Sequence, residues 1–200
     1  LTETSSIATT ESNDKNQFMY GSVGKSLKNN KIKIKNLKNK YGEIWIKGNN
    51  LFKNYLGEKR MTKSKFKDNW FKTGDLGYFN KDKYLFIKDR IDNMIIVSGE
   101  NIYPSDIEIH LSKFKDIKLG VVSFVTDKIT QNKLVLIYEG SKKIDYKKFY
   151  NFLKQKISKF KIPKILINIQ DLGLKEIPKA PNKKILRNKI KILVSKYLIK

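Results

Sequence analysis

Two hundred residues, 40% apolar and 12% aromatic, are enough to bury the core of one medium or two small domains, and this is the composition of a globular protein. The formal charge is +24, but 40 of the 43 cationic residues are lysine and only Arg60, Arg90 and Arg187 are arginine; this argues against a specific nucleic-acid reader and for a solvated surface with lysine tails over apolar groups. Cysteine is absent, which excludes disulfides, cysteine zinc sites and thiol nucleophiles, and no apolar run approaches the roughly 20 residues of a membrane span.

Residues Leu1 to Met19 are polar and without apolar period, which predicts a loop; the missing initiating Met makes a fragment the expectation. Gly21-Ser22-Val23-Gly24-Lys25 lacks the spacing of a phosphate loop and leads into an alternating strand at Lys31 to Ile34. Gly42 to Gly48 alternates as a second strand, and the charged stretch Glu58 to Asn69 is helical in part.

Thr73-Gly74-Asp75-Leu76-Gly77 predicts a tight turn carrying an acid, followed by a buried strand, Tyr84 to Ile87, and a charged joint, Lys88 to Asp92. Met94 to Val97 is a β-branched strand, Ser98-Gly99-Glu100-Asn101 a glycine loop, and Tyr103-Pro104-Ser105 opens a helix with acids near its positive end. His110, the sole histidine, is a residue of that helix.

Strands at Gly120 to Val125 and Leu134 to Tyr138 flank a polar turn, Thr126 to Lys133. Asp145 caps a helix whose Phe149, Phe152, Leu153 and Ile157 recur at helical spacing, and Ile165 to Ile169 is a further strand. This order predicts an α+β unit with a helix-backed sheet.

From the residues alone, Asp75 is either a turn aspartate bonding its own backbone or a carboxylate offered to ligand hydroxyls. Likewise Gly99 is a hairpin glycine or a place where a ligand passes close to backbone. Lys184 is one lysine among 40 unless the Pro178 to Arg187 run gives it a role, and Glu3 is an ordinary carboxylate unless its neighbours do the same.

Taken together, T-G-D-L-G, D-R-I-D-N-M-I, G-E-N-I-Y-P-S-D-I-E and P-K-A-P-N-K-K-I-L-R resemble, in order and spacing, the C-terminal portion of the AMP-forming acyl-CoA synthetases. That adenylating superfamily includes luciferase and the adenylation domains of peptide synthetases. The resemblance implies the β-rich end of a large adenylating domain, residues 1–91, then a small mobile α+β domain, residues 92–200, hinged near Asp92. It implies ligation of a fatty or aryl acid to CoA through an acyl adenylate, with ATP, Mg²⁺ and CoA as cofactor and co-substrates, in the cytoplasm or peripherally on a membrane, and within fatty acid metabolism.

The same resemblance assigns Thr2 to the nucleotide phosphate, Glu3 to Mg²⁺, Asp75 and Arg90 to the ribose side, Ile87 to an apolar nucleotide contact, Asp92 to the hinge, Gly99 and Glu100 to CoA, and Lys184 to adenylation. The sequence departs from the family pattern at Asp89 and Lys183, where glycine is usual. The family's upstream phosphate loop and acyl pocket are not within these residues, so the chain is expected to be inactive without its N-terminal portion. The alternatives are a ligase that loads a carrier protein, and a decayed basic fragment that binds anionic partners.

Overall fold

Strict alternation of lysine and isoleucine from Lys31 to Ile34, within the strand Asn30–Lys38, turns the isoleucines toward a core, and the first half of the chain builds on that pattern. The computed structural model describes residues 1–5, 7–12, 18–38, 40–140 and 143–198. Two compact units result, Leu1–Asp92 and Asn93–Lys200.

In the first unit a 3-10 turn, Thr2–Thr4, precedes a small ribbon of β1 (Thr9–Thr10) and β2 (Lys25–Ser26). The main sheet comprises β3 (Asn30–Lys38), β4 (Tyr41–Gly48), β5 (Phe66–Lys67), β6 (Trp70–Phe79) and β7 (Leu85–Arg90), with α1 (Lys59–Lys65) before β5. Antiparallel pairing runs β3-β4-β6, and β5 and β7 share the far edge of β6. Ile44, Ile46 and Leu85 form the buried centre, with Val23, Ile32, Ile34 and Phe79 around them.

Trp45 lies on the opposite face and is still buried, because the Lys33 tail crosses it, its Nζ 5.1 Å from the Trp45 ring and 3.7 Å from Trp70. This is the lysine-over-apolar packing expected from the composition, strengthened by the ring quadrupoles.

A 3-10 turn at Ile91–Asn93 is followed by a two-stranded hairpin, β8 (Ile95–Val97) and β9 (Glu100–Ile102), and by α2 (Pro104–Leu111) with proline in its first turn. β10 (Ile117–Asp127) and β11 (Gln131–Gly140) pair antiparallel, and β12 (Ile165–Asn168) joins β11 in parallel after a crossover through α3 (Tyr146–Leu153). Asp145 caps α3, accepting from the Lys148 N–H.

The second sheet is covered on both faces. Leu134, Leu136 and Tyr138 point toward α2 and α3, while Val135 and Ile137 point toward α4 (Arg187–Leu198), so all five are buried. Two-sided burial explains why this strand reads as a continuous apolar run. The α+β class expected from the sequence is the one observed.

Several local expectations need correction. Thr73 to Gly77 is not a turn; it lies inside β6, whose two edges are consumed by β4 and by β5 with β7. A glycine with φ of +75° at Gly74 and register shifts against both neighbours mark an irregular strand there. The strand after it runs further than expected, to Arg90, and of the expected buried run Tyr84 and Leu85 are buried while Ile87 is 50% exposed. Helix α3 stops at Leu153, short of Ile157, and α4 was not anticipated.

Candidate active site

Pairing of β6 with β7 sets Asp75 directly opposite Arg90. Across that pair, Arg90 Nη1 donates to Asp75 Oδ1 at 3.1 Å and to the Thr73 carbonyl at 3.0 Å, while Nη2 reaches Asp92 Oδ2 at 3.3 Å. The Asp75 side chain is 14% exposed and that of Asp92 75%, so the first pair is sheltered and the second is a surface contact of small energetic weight. Burial works against the Arg90 charge, but Asp75 beside it and the Asp92 hydrogen bond outweigh that, and the Arg90 pKa is raised. The 3-10 turn Ile91–Asn93 follows β7 at once, and Asp92 is its middle residue.

Backbone geometry keeps this pair in place. Thr73 Oγ1 donates to the Ile44 carbonyl at 2.8 Å and accepts from the Asp75 N–H at 2.9 Å, and Glu43 accepts from the Gly74 N–H at 3.2 Å and from Trp45 Nε1 at 2.8 Å. A Cβ on Gly74 would stand 2.9 Å from Arg90 Nη2. Gly74→Ala is therefore expected to destabilise the chain by about 1–3 kcal/mol, through left-handed backbone cost and displacement of Arg90. Urea unfolding measures it, and an unchanged midpoint would mean the alanine is accommodated without strain.

Asp75 and Thr73 line a cavity of about 240 Å³ whose other walls include Ile32, Ile44, Leu85 and Ile87. Ile87, half exposed, is thus one of the residues that line this cavity. Leu1 lines the same cavity, which brings the N-terminal Thr2-Glu3 segment near it along the chain.

Thr2 and Glu3 belong to the first 3-10 turn. Glu3 is held at its backbone by the Phe52 N–H, 2.9 Å from the Glu3 carbonyl, and at its carboxylate by the Tyr55 hydroxyl, 2.9 Å from Oε1. Burial, reinforced by the Glu3 charge and hydrogen bond, pushes the Tyr55 pKa up to about 12. Among the described residues no group of three or more His, Cys, Asp or Glu gathers as a metal cage. A lone carboxylate such as Glu3 suits Mg²⁺, which keeps waters and substrate phosphate oxygens in its shell.

Because its folded pKa is raised, the Tyr55 contribution to stability is fully present below the ordinary value of 10.0 and is lost as pH rises through about 12. Difference titration of tyrosinate absorbance between the wild-type chain and Tyr55→Phe should show one missing group near pH 12; a missing group near 10 would contradict the Glu3 contact.

In the second unit, Ser98 and Gly99 connect β8 to β9 with Val97 opposite Glu100, and their φ values of 52° and 82° make this a tight hairpin turn of the mirror-image kind. A Cβ on Gly99 would meet no protein atom within 4 Å, so backbone conformation, and not crowding within the protein, accounts for the glycine. Glu100 is exposed beside it.

Lys184 lies on a separate hairpin closed by the bridge Lys179↔Ile185 and by Ala180 N–H to the Lys184 carbonyl at 2.8 Å. Asn182 Oδ1 accepts from the Lys184 N–H at 3.2 Å, and the ammonium-bearing side chain is exposed. Lys183 has a φ of +64°, the left-handed region natural to the glycine of the family pattern.

Two ties escaped sequence reading. Glu43 looked like an ordinary strand residue, and nothing local announces its grip on the Gly74 amide. Arg187, at the end of the last motif, makes a two-pronged ion pair with Glu108 at 2.9 and 2.7 Å, while Glu108 also accepts from the Val122 N–H at 2.8 Å. The pair joins α4, α2 and β10 beside the Lys184 hairpin. Its signal was the arginine itself, one of three in the chain.

No family model matches the sequence. The 2-succinylbenzoate–CoA ligase of Bacillus licheniformis is 34% identical over 198 residues, covering 95% of this chain and 40% of the relative. Among solved structures, the o-succinylbenzoate CoA synthetase of Bacillus subtilis in complex with its acyl-adenylate OSB-AMP superposes with a TM-score of 0.84 at 31% identity, over 96% of this chain and 40% of that one. Over nearly its whole length the chain is similar to the C-terminal portion of AMP-forming acyl-CoA synthetases.

It spans about 40% of the length of the relatives it matches. ATP-bound MatB from Rhodopseudomonas palustris aligns with a TM-score of 0.83 at 26% identity, over 96% of this chain and 39% of that one. The acid named for the curated synthetases is aryl, 2-succinylbenzoate; nothing in these relatives points to the fatty acid metabolism expected from sequence.

Proposed function

We propose that these residues act as the C-terminal part of an ATP-dependent ligase that joins an aryl carboxylic acid to CoA through an acyl adenylate, releasing AMP and pyrophosphate. The observation that carries this reading is Asp75, paired with Arg90 and lining a mostly apolar cavity, in a chain 34% identical over 95% of its length to a 2-succinylbenzoate–CoA ligase.

Asp75 accepts the ribose hydroxyls of the nucleotide, since a carboxylate takes two donors at once, and Arg90 fixes its orientation. Ile87 gives the cavity an apolar wall for the nucleotide, and Thr2 offers a hydroxyl to a phosphate. Glu3, oriented by Tyr55, would hold Mg²⁺, which neutralises phosphate charge when bound.

On the second unit, the Lys184 ammonium meets the charge that builds on the acid and the α-phosphate during adenylation. Between the two steps the backbone turns at Asp92. The Gly99 turn and Glu100 then flank the arriving CoA arm. A cytoplasmic setting, which supplies ATP and CoA, suits this reading.

The natural gene product that carries this sequence should catalyse ATP–pyrophosphate exchange dependent on 2-succinylbenzoate or a related aryl acid, and form the acyl-CoA when CoA is added. The 200-residue chain alone should show no exchange. Exchange with no acid in an aryl panel, or turnover by the isolated chain, would overturn the reading.

A further inference from the structure

The β8–β9 hairpin stands outside the three-stranded sheet of its unit, and a lone two-stranded hairpin is marginal in water. Its base is anchored by Ile95 and Ile102, both buried in the core. Its tip, Ser98-Gly99, carries two positive φ values, one of them on a residue with a side chain, and such strain persists only where surroundings hold it.

Those surroundings are the turn between β10 and β11. The Ser98 N–H donates to the Thr130 carbonyl at 3.0 Å, and Asn132 Nδ2 donates to the Ile96 carbonyl at 2.7 Å, so the turn grips the hairpin at its tip and along β8. The turn is itself locked. Asp127 Oδ1 accepts from the Ile129 N–H, the Thr130 N–H and Thr130 Oγ1 at 3.1, 2.8 and 2.8 Å, and Oδ2 pairs with Lys133 Nζ at 2.6 Å. The Lys133 contact, followed by the Thr130 bonds, holds the Asp127 carboxyl well below the usual carboxylate range.

We infer that the Asp127–Asn132 turn is the positioning element of the Gly99 turn, with Asn132 a positioning residue for the CoA-dependent half-reaction. The inference rests on the function proposed above. Asn132 touches neither acid nor nucleotide in that reading; it acts by fixing the β8 carbonyl next to the Gly99 turn, so that the backbone path along which the CoA arm passes is set before CoA arrives. Adenylation, in that reading, draws on Asp75, Arg90 and Lys184, residues outside this turn.

The test uses the natural gene product with Asn132→Ala and with Asn132→Asp, which keeps the shape but removes the donor. Both variants should keep the rate of acyl-adenylate formation within about twofold of wild type. Their KM for CoA should rise roughly 3- to 10-fold, the effect of one lost hydrogen bond, and the Ser98 amide should exchange hydrogen faster by a similar factor. Asp127→Ala should reproduce the pattern.

An unchanged KM for CoA, or a parallel fall in both half-reactions, would overturn the positioning role while leaving the proposed function standing. Absence of adenylate formation in the wild type would instead remove the proposed function, and this inference with it.

Discussion

Replacing Lys184 with alanine is expected to lower acyl-adenylate formation by roughly 10²- to 10³-fold while leaving conversion of supplied acyl-AMP to acyl-CoA close to the wild-type rate. Lys184 is exposed on a hairpin whose shape comes from backbone groups: the Lys179↔Ile185 bridge, the Ala180 N–H to its carbonyl, and Asn182 on its own N–H. Truncation therefore removes an ammonium without removing a fold contact. Such a loss appears where charge develops on the carboxylate and α-phosphate, and not where a thiol attacks a finished adenylate. Pyrophosphate exchange and single-turnover thioester formation by the natural gene product separate the steps. Equal loss in both would assign Lys184 to general binding or to structure.

Asp75→Asn should raise KM for ATP roughly 10- to 100-fold, the value of hydrogen bonds to a charged acceptor, with a smaller change in kcat. Asparagine keeps the size of the side chain, and Arg90, with 41% of its side chain exposed, regains water for the partner it loses, so the strand pairing survives. Initial rates of exchange against ATP concentration give the answer. An unchanged KM would mean that Asp75 serves only to hold Arg90.

These two outcomes bear on different units of the chain, and this is why both are needed. Asp75 reports on the nucleotide end of the first unit, Lys184 on a hairpin of the second. The Lys183 backbone adds a related point. The sequence shows a lysine where glycine is usual, and the structure puts it at a φ of +64°, so the turn has kept its shape against the preference of its residue.

Local chemistry was enough for much of this protein. Residue spacing carried the resemblance to the acyl-CoA synthetases, because four motifs in order are a one-dimensional property of the chain. Alternation in β3 and β4, the proline opening α2, and the Asp145 cap each depend on neighbours within a few positions, and each stands where local rules put it.

What the tertiary structure decided lies in pairings distant along the chain. A positive-φ glycine in Thr73 to Gly77 reads locally as a turn, and only the ladders to β4 and β7 make it strand. The apolar character of Ile87 says nothing of whether it meets core or cavity. Glu43 finds the Gly74 amide 31 residues on, Ser98 finds Thr130, and Glu108 finds Arg187 across 79 residues. A hydrogen-bonding side chain has the same chemistry wherever it lies in the sequence; its partner is fixed by which strands pair and which helices cover them. The motifs therefore named candidate residues, while the residues that hold them in place became visible only in the fold.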